Sequence, residues 1–155
     1  MSNVRWKDLV EIIGTVSIIA TLVFVGLEIR QNTNAVRSAA VQDISRWSYD
    51  ATILLVENTD LLEARYTPCV SDLSEEQYIR MRAWYAALLR VQLNRYYQIR
   101  LGIIDEQMAA SIGGKGAAYR HPFFAEIWPV LKVDFDKGFQ DYVEIEVLPL
   151  SPESC

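Results

Sequence analysis

The sequence predicts an all-α protein: an N-terminal transmembrane helix continuous with a long helix, followed by a small helical bundle. Three observations lead there. Ile12 to Leu27 contains no charged residue. Glu28 to about Val56 contains neither Gly nor Pro, and its apolar residues recur at steps of three and four. The remainder shows helix starts and stops, with only a weak strand-like alternation at Val143 to Leu148.

Composition bounds what such a chain does. Its 155 residues suit one domain plus an anchor. With 51% hydrophobic and 23% charged residues it sits near the globular average, so wholesale disorder is not expected. The net charge is −5 and there is no run of Lys or Arg, which argues against nucleic acid as a partner. Cys69 and Cys155 show no metal-ligand spacing and are expected to be two unrelated thiols.

Residues 1–8 read as an N-terminal tail and 9–29 as the anchor, with membrane lipid as its partner. As a helix, Ile12 to Leu27 is ~24 Å long at ~1.5 Å per residue, against a ~30 Å bilayer core. Leu9, Val10 and Ile29 extend it. Ten of its residues are Ile, Leu, Val or Phe. Their insertion is worth about −3 to −6 kcal/mol in sum. Thr15, Ser17 and Thr21 are expected to bond back to their own helix, which softens their cost. A buried helix of a soluble bundle is the rival, but the run lacks a polar stripe. A cleaved signal is disfavoured because Val25-Gly26-Leu27-Glu28 lacks the small-x-small pattern of a cleavage site. The basic residues on the two sides, Arg5 and Lys7 against Arg30, Arg37 and Arg46, are too evenly split to set the orientation. Gly14, Ser17 and Thr21 share one face and form a candidate self-association surface, so a homo-oligomer is one expectation.

Residues 30–148 read as the helical domain. Ile29, Thr33, Val36, Ala40, Ile44, Trp47, Ala51 and Leu54 form one stripe, and Asn58-Thr59-Asp60 is a stop. A short helix covers Leu61 to Tyr66. Ser74 with Gln77 is a capping-box pattern that opens a helix to about Leu101, stopped by Gly102. On that helix Ile79, Ala83, Ala86, Arg90, Leu93 and Tyr97 share one face. Trp84, Leu88, Val91 and Arg95 share the next, so the helix should be central. Asp105 caps a short helix through Ile112, and Gly113 to Gly116 is a flexible break. Pro122 suits the first turn of a helix after His121, and Pro129 should kink or end it. Asp134 or Asp136 caps a last helix to about Val147, and residues 149–155 form a flexible tail.

Two motifs resemble those of a family of uncharacterised bacterial proteins. In that family an N-terminal hydrophobic helix passes into a motif similar to Glu28-Ile29-Arg30-Gln31-Asn32-Thr33. A second shared pattern resembles Asn94-Arg95-Tyr96-Tyr97-Gln98-Ile99-Arg100-Leu101-Gly102-Ile103-Ile104-Asp105. The likeness spans most of the chain, while Pro129 and the tail after Val147 depart from it. It implies a bacterial, single-pass protein of the cytoplasmic membrane with a helical domain, and it implies no chemistry.

No catalytic constellation emerges. The single histidine, His121, has no placeable base or nucleophile beside it and is expected at the surface as a helix-start residue. One histidine cannot furnish a di-metal carboxylate bundle, which needs Glu-x-x-His on two helices. Gly113-Gly114-Lys115-Gly116 lacks the phosphate-loop spacing. No enzyme, metal or cofactor is therefore expected. The polar cluster on the central helix is the candidate contact site: Arg90, Asn94 and Tyr97 at i, i+4, i+7, with Arg100 beyond. In an apolar helix such a guanidinium must be paired, with Asp43, Asp50, Glu57 or Glu106, or must face a cavity. Function then reads as a membrane-anchored interaction or scaffold module whose protein partner is not specified. The alternative is a ligand-sensing helical domain with an Arg/Tyr-lined pocket.

Overall fold

The computed structural model describes residues 5–113 and 116–152, with the backbone alone at Ile112 and Gly113. Cys155, the end of the tail, and Gly114 and Lys115 of the Gly113 to Gly116 break lie outside the described residues. No strand occurs among those described. The chain divides into two units, Met1–Ala39 and Ala40–Cys155.

Helix α1, Trp6–Glu57, contributes to both. In the first unit every described side chain is exposed. Two of the three expected back-bonds form: Thr15 Oγ1 donates to the Glu11 carbonyl at 2.9 Å and Thr21 Oγ1 to the Ser17 carbonyl at 2.8 Å. The helix is long and apolar enough to cross a membrane.

The second unit holds the core. After α1 come α2 (Thr59–Tyr66), α3 (Glu75–Arg100), α4 (Glu106–Gly113), α5 (Pro122–Leu131) and α6 (Lys137–Tyr142). Ser74 and Gln77 form the expected capping box at the start of α3. Gly102 adopts φ 67° after its end, where Ile103 N bonds to the Gln98 carbonyl and Gly102 N to the Ile99 carbonyl, both at 2.9 Å. That pair is a Schellman closure, and it needs a residue tolerant of the left-handed region. Asp105 Oδ1 accepts from Met108 N at 2.7 Å to start α4, and Asp136 Oδ1 accepts from Phe139 N at 3.2 Å to start α6.

Aromatic rings fill the main core. Tyr85 on α3 lies 5.8 Å from Phe123 and 5.5 Å from Phe124, both on α5. Trp128, Leu131, Phe139 and Val143 continue the cluster, and Met81 and Leu89 close it along α3. Fully burying each large apolar side chain is worth about 1.5–3 kcal/mol. A second, smaller cluster joins Ala40 and Ile44 of α1 to Ile104 and to Ala109 of α4.

Several expectations need correction. α5 continues through Pro129 to Leu131 before a 3-10 turn, Lys132–Asp134. The proline removes the donor to the Ala125 carbonyl, and Ala125 is exposed, so water can take that place. The alternation at Val143 to Leu148 is not a strand. Val143–Val147 is a π-helical turn in which Val143 and Val147 are buried four residues apart while Ile145 is 68% exposed. The stripe on α1 is only partly covered: Ala40 and Ile44 are buried, but Trp47 and Leu54 stay about half exposed. Finally, Cys69 is disulfide-bonded rather than a free thiol. Its short-range spacing carries no sign of this, because a disulfide depends on which chain segments meet in space.

Candidate functional site

The four polar residues singled out on α3 do not converge. Arg90 is exposed and lies along an open groove of about 520 Å³ between α1 and α3. It makes no ion pair among the described residues, with Asp50 or any other carboxylate. Asn94 is exposed and accepts from Gln98 Nε2 at 3.2 Å. Tyr97 donates to Asp136 Oδ2 at 2.8 Å. That bond raises the Tyr97 hydroxyl above its usual range and holds the Asp136 carboxyl below its own. Arg100 donates from Nη1 to the Tyr96 hydroxyl at 2.7 Å. Tyr97 and Arg100 thus brace the N-terminus of α6, while Arg90 faces elsewhere. Gly138 lies against this brace: a Cβ there would stand 3.1 Å from the Tyr96 hydroxyl oxygen and 3.3 Å from Arg100 Nη1.

Gly14, Ser17 and Thr21 are exposed on α1, and a Cβ at Gly14 would meet nothing. Intrachain packing does not account for a glycine there.

His121 is buried, not at the surface. Its Nδ1 accepts from Phe123 N at 3.2 Å, so Nε2 carries the proton and donates to the Thr67 carbonyl at 2.9 Å. Burial holds its pKa below the usual value, and the charge of Arg65 adds to this against the Thr67 bond. Both nitrogens are used in holding the loop after α2 to the start of α5. Tyr85 is likewise structural: its hydroxyl donates to the Ala118 carbonyl at 3.0 Å, and burial pushes it up to about 12.

A second pocket adjoins that groove and shares Trp47, Ala51, Trp84, Leu88 and Val91 with it. α1 touches the core at two places: Ala40 and Ile44 pack into the small cluster, and Leu55 packs against the main one. Between them Trp47, Ser48, Ala51 and Thr52 line a pocket of about 360 Å³. Trp84, Leu88, Val91, Gln92 and Arg95 of α3 form the opposite side, and Arg65 of α2 and Tyr119 close the end. Trp84 Nε1 donates to the Ala51 carbonyl at 3.4 Å, tying the two walls together. Among the described residues, two guanidinium groups line this pocket and no carboxylate does. A wider cleft of about 690 Å³ carries both signs, Arg95, Arg100 and Arg120 with Glu106 and Glu146. The face Trp84, Leu88, Val91 and Arg95 was visible in the helical spacing. Arg65 and Tyr119 carried no sequence signal of joining it, because they come from distant segments.

No family model, curated protein or solved structure matches this chain.

Proposed function

We propose that this chain is a non-enzymatic interaction module, anchored by a single pass in a bacterial cytoplasmic membrane, whose partner is a second copy of itself. The observation that supports this most is the uncovered apolar groove between α1 and α3. Trp47 is 51% exposed and Leu54 47% exposed, and both line it beside Trp84 and Leu88. Covering such surface is favourable by ~25 cal/mol per Å². The groove also carries one charge of each sign, Asp50 and Arg90. A two-fold interface sets residue i against j and j against i, so opposite charges on one patch can pair across it. Two anchored copies share one plane, which raises their effective concentration. In this reading Gly14, Ser17 and Thr21 provide a second contact between the two anchors.

The test is a photo-cross-linking amino acid at Leu54 in the full chain, in membranes. A covalent dimer is expected. Asp50→Arg should lower its yield, and Asp50→Arg with Arg90→Asp should restore it. Gly14→Leu should lower the yield separately. A chain that stays monomeric after photolysis, or cross-links only to another protein, ends this reading.

A further inference from the structure

We propose that Cys69 forms its disulfide with Cys155 of the same chain, and that the helical domain therefore stands on the outer, oxidising side of the membrane with residues 1–8 in the cytoplasm. The pairing stands on its own. The side of the membrane rests on the anchored reading above.

Two observations carry the pairing. The first is the bond itself: Cys69 is disulfide-bonded, and the sequence holds one other cysteine, Cys155. The second is where the two cysteine-bearing segments run. His121 Nε2 donates at 2.9 Å to the carbonyl of Thr67, two residues before Cys69. Ser151 Oγ donates at 2.7 Å to the carbonyl of the same His121. His121 is buried, so it ties the segment after α2 to the segment that leads toward Cys155. Four residues separate Ser151 from Cys155 in the sequence. At ~3.3–3.6 Å per residue that length of chain reaches up to ~14 Å. The Cα atoms of a disulfide lie only ~4.4–6.8 Å apart, so the bond is within that reach.

The bond then decides what charge leaves open. Arg5 and Lys7 before the anchor nearly balance Arg30, Arg37 and Arg46 after it, so the basic residues favour neither orientation. Redox chemistry does favour one, because disulfides form and persist outside the cytoplasm and are rare in its reducing medium. Closing the bond takes two thiols. The thiolate of one cysteine attacks the disulfide of an extracytoplasmic thiol oxidase and forms a mixed disulfide, and the second cysteine displaces the oxidase. The Sγ–Sγ bond forms, the oxidase disulfide is reduced to two thiols, and those thiols carry away the two electrons and two protons. A single pass then leaves the N-terminal segment on the cytoplasmic side.

The experiment uses the full chain in a bacterium that carries such an oxidase. Cells are quenched in acid, and free thiols are capped with a polyethylene-glycol maleimide before or after reduction. No adduct is expected before reduction and two after it, one per cysteine. Cys69→Ser and Cys155→Ser should each take one adduct without reduction. Two adducts on the unreduced chain, or a disulfide-linked dimer on a non-reducing gel, would overturn the pairing. The side of the membrane is read separately, in spheroplasts with a membrane-impermeant maleimide and a chain carrying both serine substitutions. With Val133→Cys added, at a position 75% exposed, intact spheroplasts should be labelled. With Ser2→Cys added instead, labelling should appear only after lysis, a readout that does not depend on how the domain is folded. The reverse pattern would overturn the orientation and leave the anchor standing. Release of the chain by alkaline carbonate would instead overturn the anchored reading, and with it the assignment of a side, while the adduct count still decides the pairing.

Discussion

His121 shows how one side chain couples packing to pH. Its imidazole is buried and makes both of its hydrogen bonds as a neutral ring, to Thr67 and to Phe123. Its folded pKa lies below the unfolded value of ~6.5. As pH falls through ~6.5 the unfolded chain takes up a proton before the folded one does, so the contribution to stability is full above that pH and declines below it. Asp136 and Glu144 are held below the usual carboxylate range by Tyr97 and by Lys132, so they titrate at lower pH. The chain has no other histidine. Thermal unfolding of the full chain should therefore give a lower midpoint at about pH 5.5 than at about pH 7.5, and His121→Gln should flatten that difference. An unchanged pH slope in the variant would assign the effect to other groups. The histidine's role as a helix start was legible from His121-Pro122. Its burial was not, because Thr67 lies far from it in sequence.

At the scale of the elements, end chemistry and core contacts can be separated by experiment. The Ser74–Gln77 box satisfies donors that the first turn of α3 would otherwise leave open. Ser74→Ala should cost about 1 kcal/mol. For a chain of this size that is a fall of roughly 2–4 °C in the midpoint, read by circular dichroism. Phe123 is fully buried against Tyr78 and Tyr85, with ring centroids 5.0 and 5.8 Å away. Phe123→Ala should cost roughly 3–5 kcal/mol, far more than the cap, because it removes buried surface and leaves a cavity. A denaturant titration that ranked the two variants the other way would contradict this core. Caps were legible because they are local: Ser74, Asp105 and Asp136 each act on a residue three positions away. The π-helical turn was not. Val143-Glu144-Ile145-Glu146-Val147 alternates like a strand, but Trp128 Nε1 of α5 and Lys132 Nζ of the turn after it reach Glu144 at 3.3 and 3.0 Å. Those contacts hold the segment helical and turn Ile145 outward.

For the whole molecule, the first question is where the chain resides. Alkaline carbonate extraction should leave the full chain in the membrane pellet, while a variant lacking residues 1–27 should become soluble. That expectation follows from the insertion energy of about −3 to −6 kcal/mol and from a helix long and apolar enough to cross a membrane. A full chain that washes off would require the window to be covered by protein, and would end the anchored reading. The sequence by itself determined the features that depend on near neighbours: an all-helical order, an apolar segment long enough to span a bilayer, and the caps and glycine stop that bound α3 and α4. Only the tertiary structure decided which arginines share a site. In the sequence Arg90 and Arg100 belong to one polar cluster on α3, with Arg95 on the next face. Packing instead places Arg90 along one groove, brings Arg95 and Arg65 of α2 to the adjoining pocket, and sets Arg100 against Tyr96. Helical spacing assigns a residue to a face, but what stands opposite that face depends on contacts between segments far apart in the chain.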